Sequence, residues 1–299
     1  MSELADRLAG HVRQLAGAIG PRNIGHPQAY AAARSYVVDQ FRDAGLKPRV
    51  LPYRLGDGVE VANVEATIAG RSPRIVVIGA HYDSCFDTPG ADDNASAVAM
   101  LLELARHAAD QRPRHTLRFV AFANEEPPFF GGPKMGSWVC AEALRRQVDA
   151  GEADVAGMLC LEMVGYFTPE RGGQPYPEEL PAAARWLLPS RGDFLALVSD
   201  PKSAWWTLRL RRAVGVRQPG DLPRVPIWAL SPPLSWTGGA HMLSDHWCFD
   251  QWGFKAAMLT DTAFVRNPHY HRATDTPDTL DYPRMARATD RIARAIVRL

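Results

Sequence analysis

Residues Ile75–Ser96 read IVVIGAHYDSCFDTPGADDNAS. The stretch opens as an apolar run of the kind that a parallel sheet buries on both faces, and it breaks at His81. It then passes four aspartates, Asp83, Asp87, Asp92 and Asp93, before Ala95 begins a run rich in Ala and Leu that reads as a helix to Ala109. Asp93 and Asn94 also suit the N-cap of that helix, a role that fits Asp92 less well.

The strand–loop–helix pattern recurs along the chain. Apolar runs at Thr116–Ala123, Val155–Leu161 and Lys255–Thr260 alternate with helical patterns at Met135–Arg146 and Tyr282–Val297. Upstream, an amphipathic first helix within the opening twenty residues is followed by a second over His26–Gly45, which Gly45 ends. Lys47–Leu55 and Val59–Ile68 read as an antiparallel pair around the turn Gly56-Asp57-Gly58. Together these elements predict an α/β fold: a three-layer, mostly parallel, doubly wound sheet with helices on both faces. From Phe167 to Trp236 the periodicity weakens while Pro and Gly accumulate, so this stretch reads as irregular wall or lid structure within one domain spanning residues 1–299.

Composition restricts the function. The 299 residues carry 34 basic and 33 acidic side chains, so no broad field draws in nucleic acid or an anionic membrane. Glu3, Asp6, Arg7 and Arg13 interrupt the apolar residues of the first twenty, which excludes a signal-peptide core from that stretch, and no run approaches the roughly 18 apolar residues of a membrane span. Cys85, Cys140, Cys160 and Cys248 lack CxxC pairing, which suits reduced thiols in a cytoplasmic protein.

Three buried strands end in metal-ligating residue types. His81 follows IVVIGA, Glu125-Glu126 follow LRFVAFAN, and Glu162 follows GMLCL. In an open parallel sheet the functional crevice lies at the carboxyl ends of strands, so these groups converge. The loop NPHYHRATDTPD adds His269 and His271 after the last strand.

HYDS, PGADDNAS, NEE, LEM and YHRATDT, in that order between His81 and Asp281, resemble the co-catalytic di-zinc exopeptidases, a family that includes bacterial leucyl aminopeptidases, glutamate carboxypeptidase, glutaminyl cyclase and the transferrin receptor. SDHWCF and DTAFVRNPHYH extend the similarity towards bacterial aminopeptidase-like members, whereas the first seventy or so residues carry little of it. The resemblance implies two Zn²⁺ ions, with Co²⁺ or Mn²⁺ as substitutes. His81 and Glu162 would hold one, Glu126 and His271 the other, and Asp92 would bridge them, with a cis peptide between Asp92 and Asp93. Glu125 would be the general base, and Asp83 would orient the His81 imidazole. Glu162 departs from the best-known members, which carry Asp there.

The implied activity is an aminopeptidase acting on peptide or aminoacyl substrates, with neither nucleic acid nor membrane as partner. The alternatives are a glutaminyl cyclase-type acyl transferase, a carboxypeptidase or deacylase using Arg266 or Arg272 to hold a substrate carboxylate, and a binding module that has lost its metals. The presence of every implied ligand and of the base favours hydrolysis. Cys85 lies in the loop between His81 and Asp92 but lacks a partner at ligating spacing, so it is expected to be dispensable. His246 and His269 are the reserve ligands. Trp205, Trp206, Trp228, Trp236 and Trp247 are candidates for lining an apolar pocket, with packing as the competing role.

Overall fold

The structure, a computed structural model, describes all residues except 1, 57, 177–184, 187, 216–225 and 231–241. Eight strands form its sheet: β1 Arg49–Arg54, β2 Glu60–Ile68, β3 Ser72–His81, β4 His115–Phe122, β5 Val155–Glu162, β6 Leu195–Val198, β7 Ile227–Leu230 and β8 Ala256–Thr260. Their order is β1-β2-β4-β3-β5-β8-β6-β7. The central run β4-β3-β5-β8 is parallel, as is the β6–β7 pair. β1–β2, β2–β4 and β6–β8 are antiparallel, so the sheet is mixed.

β3 shows why the apolar run decides the fold. Val76, Ile78 and Ala80 join the larger core on one face, while Ile75 and Val77 join a second core on the other. Alternate residues of a strand point to opposite faces, so a strand covered on both must be apolar throughout. The larger core takes residues from helices α1 (Glu3–Val12), α2 (Pro27–Asp43), α3 (Ala97–Ala109), α5 (Ala204–Gly215) and α7 (Tyr282–Ile296). The second takes them from α4 (Gly136–Asp149) and α6 (His246–Gln251). Deleting a buried aliphatic side chain such as Ile78 costs about 2–5 kcal/mol. Gly79 is required by close approach, because a Cβ there would meet the Phe122 ring at 2.1 Å.

The helix ends follow local chemistry. Ser2 Oγ caps α1 by accepting from the Ala5 amide, and Asp281 caps α7 by accepting from the Arg284 amide. Gly45, with φ 75°, lets the Leu46 amide return to the Phe41 carbonyl and stop α2.

The stretch expected to be irregular is partly regular. β6, α5 and β7 lie within it and extend the sheet beyond β8. The strands were hidden by their length of four residues each, and α5 by the arginines in its sequence AWWTLRLRRAVG. Trp206 on α5 is buried and donates from Nε1 to the Met158 carbonyl on β5. Trp205 is exposed, and Trp247 packs on Trp138. Trp236 and the side chain of Trp228 lie outside the described residues.

Candidate metal centre

His81, at the last position of β3, is fully buried with its ring directed into a group of carboxylates. His81 Nε2 lies 3.3 Å from Glu162 Oε2, at the end of β5, and 3.4 Å from Asp93 Oδ1. His271 Nε2 lies 3.2 Å from Glu126 Oε2 and 3.2 Å from Asp93 Oδ2. Glu125 Oε2 stands 3.8 Å from His81 Nε2. The sheet thus brings His81, Glu125, Glu126, Glu162 and His271 together from four separate segments.

The shared carboxylate is Asp93, and Asp92 does not occupy the place expected of it. Asp92 turns the other way: its Oδ1 accepts from the Gly165 amide at 2.9 Å and its Oδ2 from Asn267 Nδ2 at 2.7 Å. The cis peptide correspondingly joins Asp93 to Asn94. The backbone sets this register. Asp275 accepts from the amides of Asp92 and Asp93 through its two oxygens, at 2.9 and 3.1 Å. Asn94 meanwhile receives the Met163 amide at 3.0 Å. Neither Asp93 nor Asn94 caps α3, whose N-cap position is Ser96.

Asp83 lies beneath the centre. Its carboxylate accepts the amides of Glu125 and Glu126 at 3.2 and 3.1 Å, and its Oδ1 is 3.4 Å from His81 Nδ1. Its firm contacts are therefore with the glutamate backbone, while it stands near the imidazole that it was expected to orient. The two glutamates lie beyond the end of β4, so a turn, not strand alternation, aims them. Asn124 takes φ 56°, and Tyr30 Oη holds it by donating to Asn124 Oδ1 while accepting the Asn124 amide. Met163 and His271 also have positive φ, 43° and 54°. Such backbone costs about 1–3 kcal/mol per residue and persists where surrounding contacts over-determine it.

The electrostatics suit a cation. Burial and then the neighbouring Asp93 push the Glu126 carboxyl up to about 8, with His271 opposing. Burial raises Glu125 and Glu162 as well, opposed in both by His81. The imidazoles of His271 and His81 overcome the burial of Asp93 and hold its carboxyl below the usual range. Burial would lower His271, but Asp93 and Glu126 raise it to about 10. Glu126 Oε1 and both His81 ring nitrogens are buried without hydrogen bonds.

Zinc bonds to N or O of about 2.0 Å in a tetrahedron place neighbouring donors about 3.3 Å apart. The observed 3.2–3.4 Å separations match that spacing. The donor set therefore fits zinc. Two overlapping triads support the fit: His81 with Glu125 and Glu162, and His81 with Asp93 and Glu126, each bring their ligand atoms within 4.8 Å of one another.

The remaining candidates lie outside these groups. His269 Nδ1 contacts Thr274 Oγ1, and its ring meets Tyr166 edge-on. His246 is buried at the start of α6. Arg266 is not solvated: it is buried, with Nε on Gln174 Oε1 and Nη1 on the Tyr166 and Phe194 carbonyls. Arg272 is exposed. Cys85, expected to be uninvolved, has its Sγ within 4.8 Å of ligand atoms of Glu126 and His271.

Several supporting residues escaped the sequence reading. Ser244 donates to Glu162 Oε2 at 2.7 Å, and Tyr270 stacks on the His271 ring at 3.8 Å. Fully buried Arg22 binds the carbonyls of Tyr82, Pro89 and Gly90, fixing the loop after β3. In that loop Gly90 takes φ 61°, and a Cβ there would meet the Asp93 carbonyl oxygen at 2.3 Å. The SDH and GPR triplets carry Ser244 and Arg22, but nothing in their spacing marks them as supports.

Known proteins share this architecture and sequence. The zinc aminopeptidase BSAP from Bacillus subtilis superposes with a TM-score of 0.71 at 16% identity, covering 98% of this chain and 94% of that one. The Fimbriiglobus ruber glutaminyl cyclase does so with a TM-score of 0.66 at 19% identity, covering 98% and 94%. At these identities the likeness is one of fold. The model of peptidase family M28 matches residues 63–186. Escherichia coli (strain K12) YfbL is 35% identical over 302 residues, covering 95% of this chain and 85% of that protein. With the family model over β3, β4 and β5 and a relative aligned along nearly the whole chain, the protein belongs to peptidase family M28 and is a zinc-dependent hydrolase.

Proposed function

We propose that the protein is an aminopeptidase that removes the N-terminal residue of peptides at a pair of zinc ions. In this reading His81 and Glu162 hold one ion, Glu126 and His271 hold the other, and Asp93 is shared. The observation that carries it is the position of Asp93, whose two oxygens lie 3.4 and 3.2 Å from the two histidines. When bound, the metals supply positive charge that acidifies water and steadies the oxyanion developing at an amide carbonyl.

The chain's own groups do the rest. Glu125 accepts the proton of the attacking water and returns it to the amine nitrogen as the C–N bond breaks. Its carboxylate oxygen, 3.8 Å from His81 Nε2, stands beside the metal-binding groups without joining their closest contacts, as both halves of that transfer need. Asp83 fixes Glu125 and Glu126 through their amides, and Ser244 fixes Glu162. Arg266, which a carboxypeptidase would need for a C-terminal carboxylate, is buried and spends Nε on Gln174 and Nη1 on two backbone carbonyls, leaving only Nη2 without a hydrogen bond.

Cytoplasmic placement belongs to the same proposal. It rests on four unpaired cysteines, and among the described residues no helix is long and apolar enough to cross a membrane.

The test combines metal analysis with a panel of aminoacyl-anilides and an N-terminal glutaminyl peptide. About two zinc ions per chain and release of free amino acid are expected, with activity lost on chelation. Cyclisation of the glutaminyl peptide without any amino acid release would overturn the assignment.

A further inference from the structure

We propose that Cys85 supplies a thiolate to the metal position built by Glu126 and His271, so that one half of the centre has a sulfur-containing donor set. The inference rests on the metal-pair reading above and adds to it.

Three observations carry it. Cys85 Sγ and ligand atoms of Glu126 and His271 lie within 4.8 Å of one another, a group that one ion can bridge. Glu126 Oε1 is buried beside this group and makes no hydrogen bond, and Glu126 itself is only 3% exposed. The thiol is also held in place. Cys85 is 2% exposed, its carbonyl accepts from both the amide and the hydroxyl of Thr88, and Arg22 clamps the carbonyls on either side of this loop.

The other cysteines provide a contrast. Cys160 Sγ contacts Ser244 Oγ, Cys248 Sγ contacts Met135 Sδ, and Cys140 lies in the second core. Among the described residues, none of these three joins a group of potential ligands.

Softness points the same way. On metal binding the Cys85 S–H bond breaks, the proton passes to solvent and a sulfur–metal bond forms. A sulfur donor biases the position towards Zn²⁺ and Cd²⁺ over Mn²⁺ and Mg²⁺.

The experiment titrates metal-free protein with Cd²⁺ and follows the ultraviolet thiolate-to-cadmium charge-transfer band alongside bound cadmium. In the wild type the band should grow and saturate at about one thiolate per chain. In Cys85→Ser the band should vanish, and cadmium affinity should fall at least about tenfold more than manganese affinity. Binding of two cadmium ions without a band in the wild type overturns the sulfur ligand and leaves the metal pair standing. Persistence of the band in Cys85→Ser assigns it to another cysteine and overturns the proposal. Failure of the wild type to bind cadmium overturns both readings. The wild-type spectrum decides even if the variant folds poorly.

Discussion

Glu162 Oε2 accepts a 2.7 Å hydrogen bond from the Ser244 hydroxyl. The same oxygen accepts from Asn94 Nδ2 at 3.3 Å, so two donors hold it 3.3 Å from His81 Nε2. Glu162→Asp should withdraw the carboxylate by about 1.5 Å, one carbon–carbon bond, and break the Ser244 contact. Ser244→Ala removes only the orienting bond and should lower metal affinity by about 10- to 100-fold. Isothermal titration of each variant with zinc checks both, and unchanged affinity in Ser244→Ala would show that Asn94 suffices to orient the carboxylate.

Asp92 and Asp93 should separate cleanly. Asp93→Asn removes the shared charge and should lower metal content at both positions. Asp92→Asn should retain the metals and lose stability, because it disturbs the bonds to Gly165 and Asn267. A disrupted buried hydrogen bond of this kind costs about 1–3 kcal/mol. Metal analysis and thermal melts of the two variants give the answer, and the opposite pattern would restore Asp92 as the bridge.

This pair marks the limit of what the sequence reveals. The strand ends at His81, Glu125-Glu126 and Glu162 were legible because a buried apolar run announces its own termination. Which of two adjacent aspartates turns inwards was not legible, since it depends on Asp275 and Asn94, respectively 182 and 1 positions from Asp93 in the chain. The strands β6 and β7 were missed because four residues each are too few to show a period. Arg22 was invisible as a support because its partners are backbone carbonyls, whose positions no local pattern encodes.

The metal-free protein should lose stability as pH rises from about 6 to about 8. Burial raises Glu126 from 4.5 to about 8 and Asp245 from 3.8 to about 7, so the folded state holds protons that the unfolded chain has already released. Stability therefore falls across that window. His271, raised from 6.5 to about 10, acts with the same sign: its contribution is complete below 6.5 and is lost as pH climbs through the folded value. Asp93 is lowered, so its contribution is present above its unfolded value of 3.8 and stays constant in this window. Zinc should reverse the trend, because metal competes with those protons and binds more tightly as they leave. Melting curves with chelator and with excess zinc test this, and a metal-free protein that gains stability over the same range would contradict it.

Glu125 and Glu126 are adjacent, yet their carboxylates stand in different relations to the centre. Glu126 Oε2 is 3.2 Å from His271 Nε2, at donor–donor spacing, whereas Glu125 Oε2 is 3.8 Å from His81 Nε2. Glu125→Gln keeps the side-chain volume and removes the group that accepts the water proton. Metal content should survive, and kcat should fall by about 10²- to 10⁴-fold with little change in KM. Glu126→Gln replaces a ligand and should lose metal affinity along with rate. The decisive measurement is metal content and kcat for both variants on one anilide substrate. Near-normal turnover in Glu125→Gln, together with a metal-replete but slow Glu126→Gln, would exchange the two roles: Glu126 would then be the proton acceptor, and Glu125 would join His81 and Glu162 as a ligand.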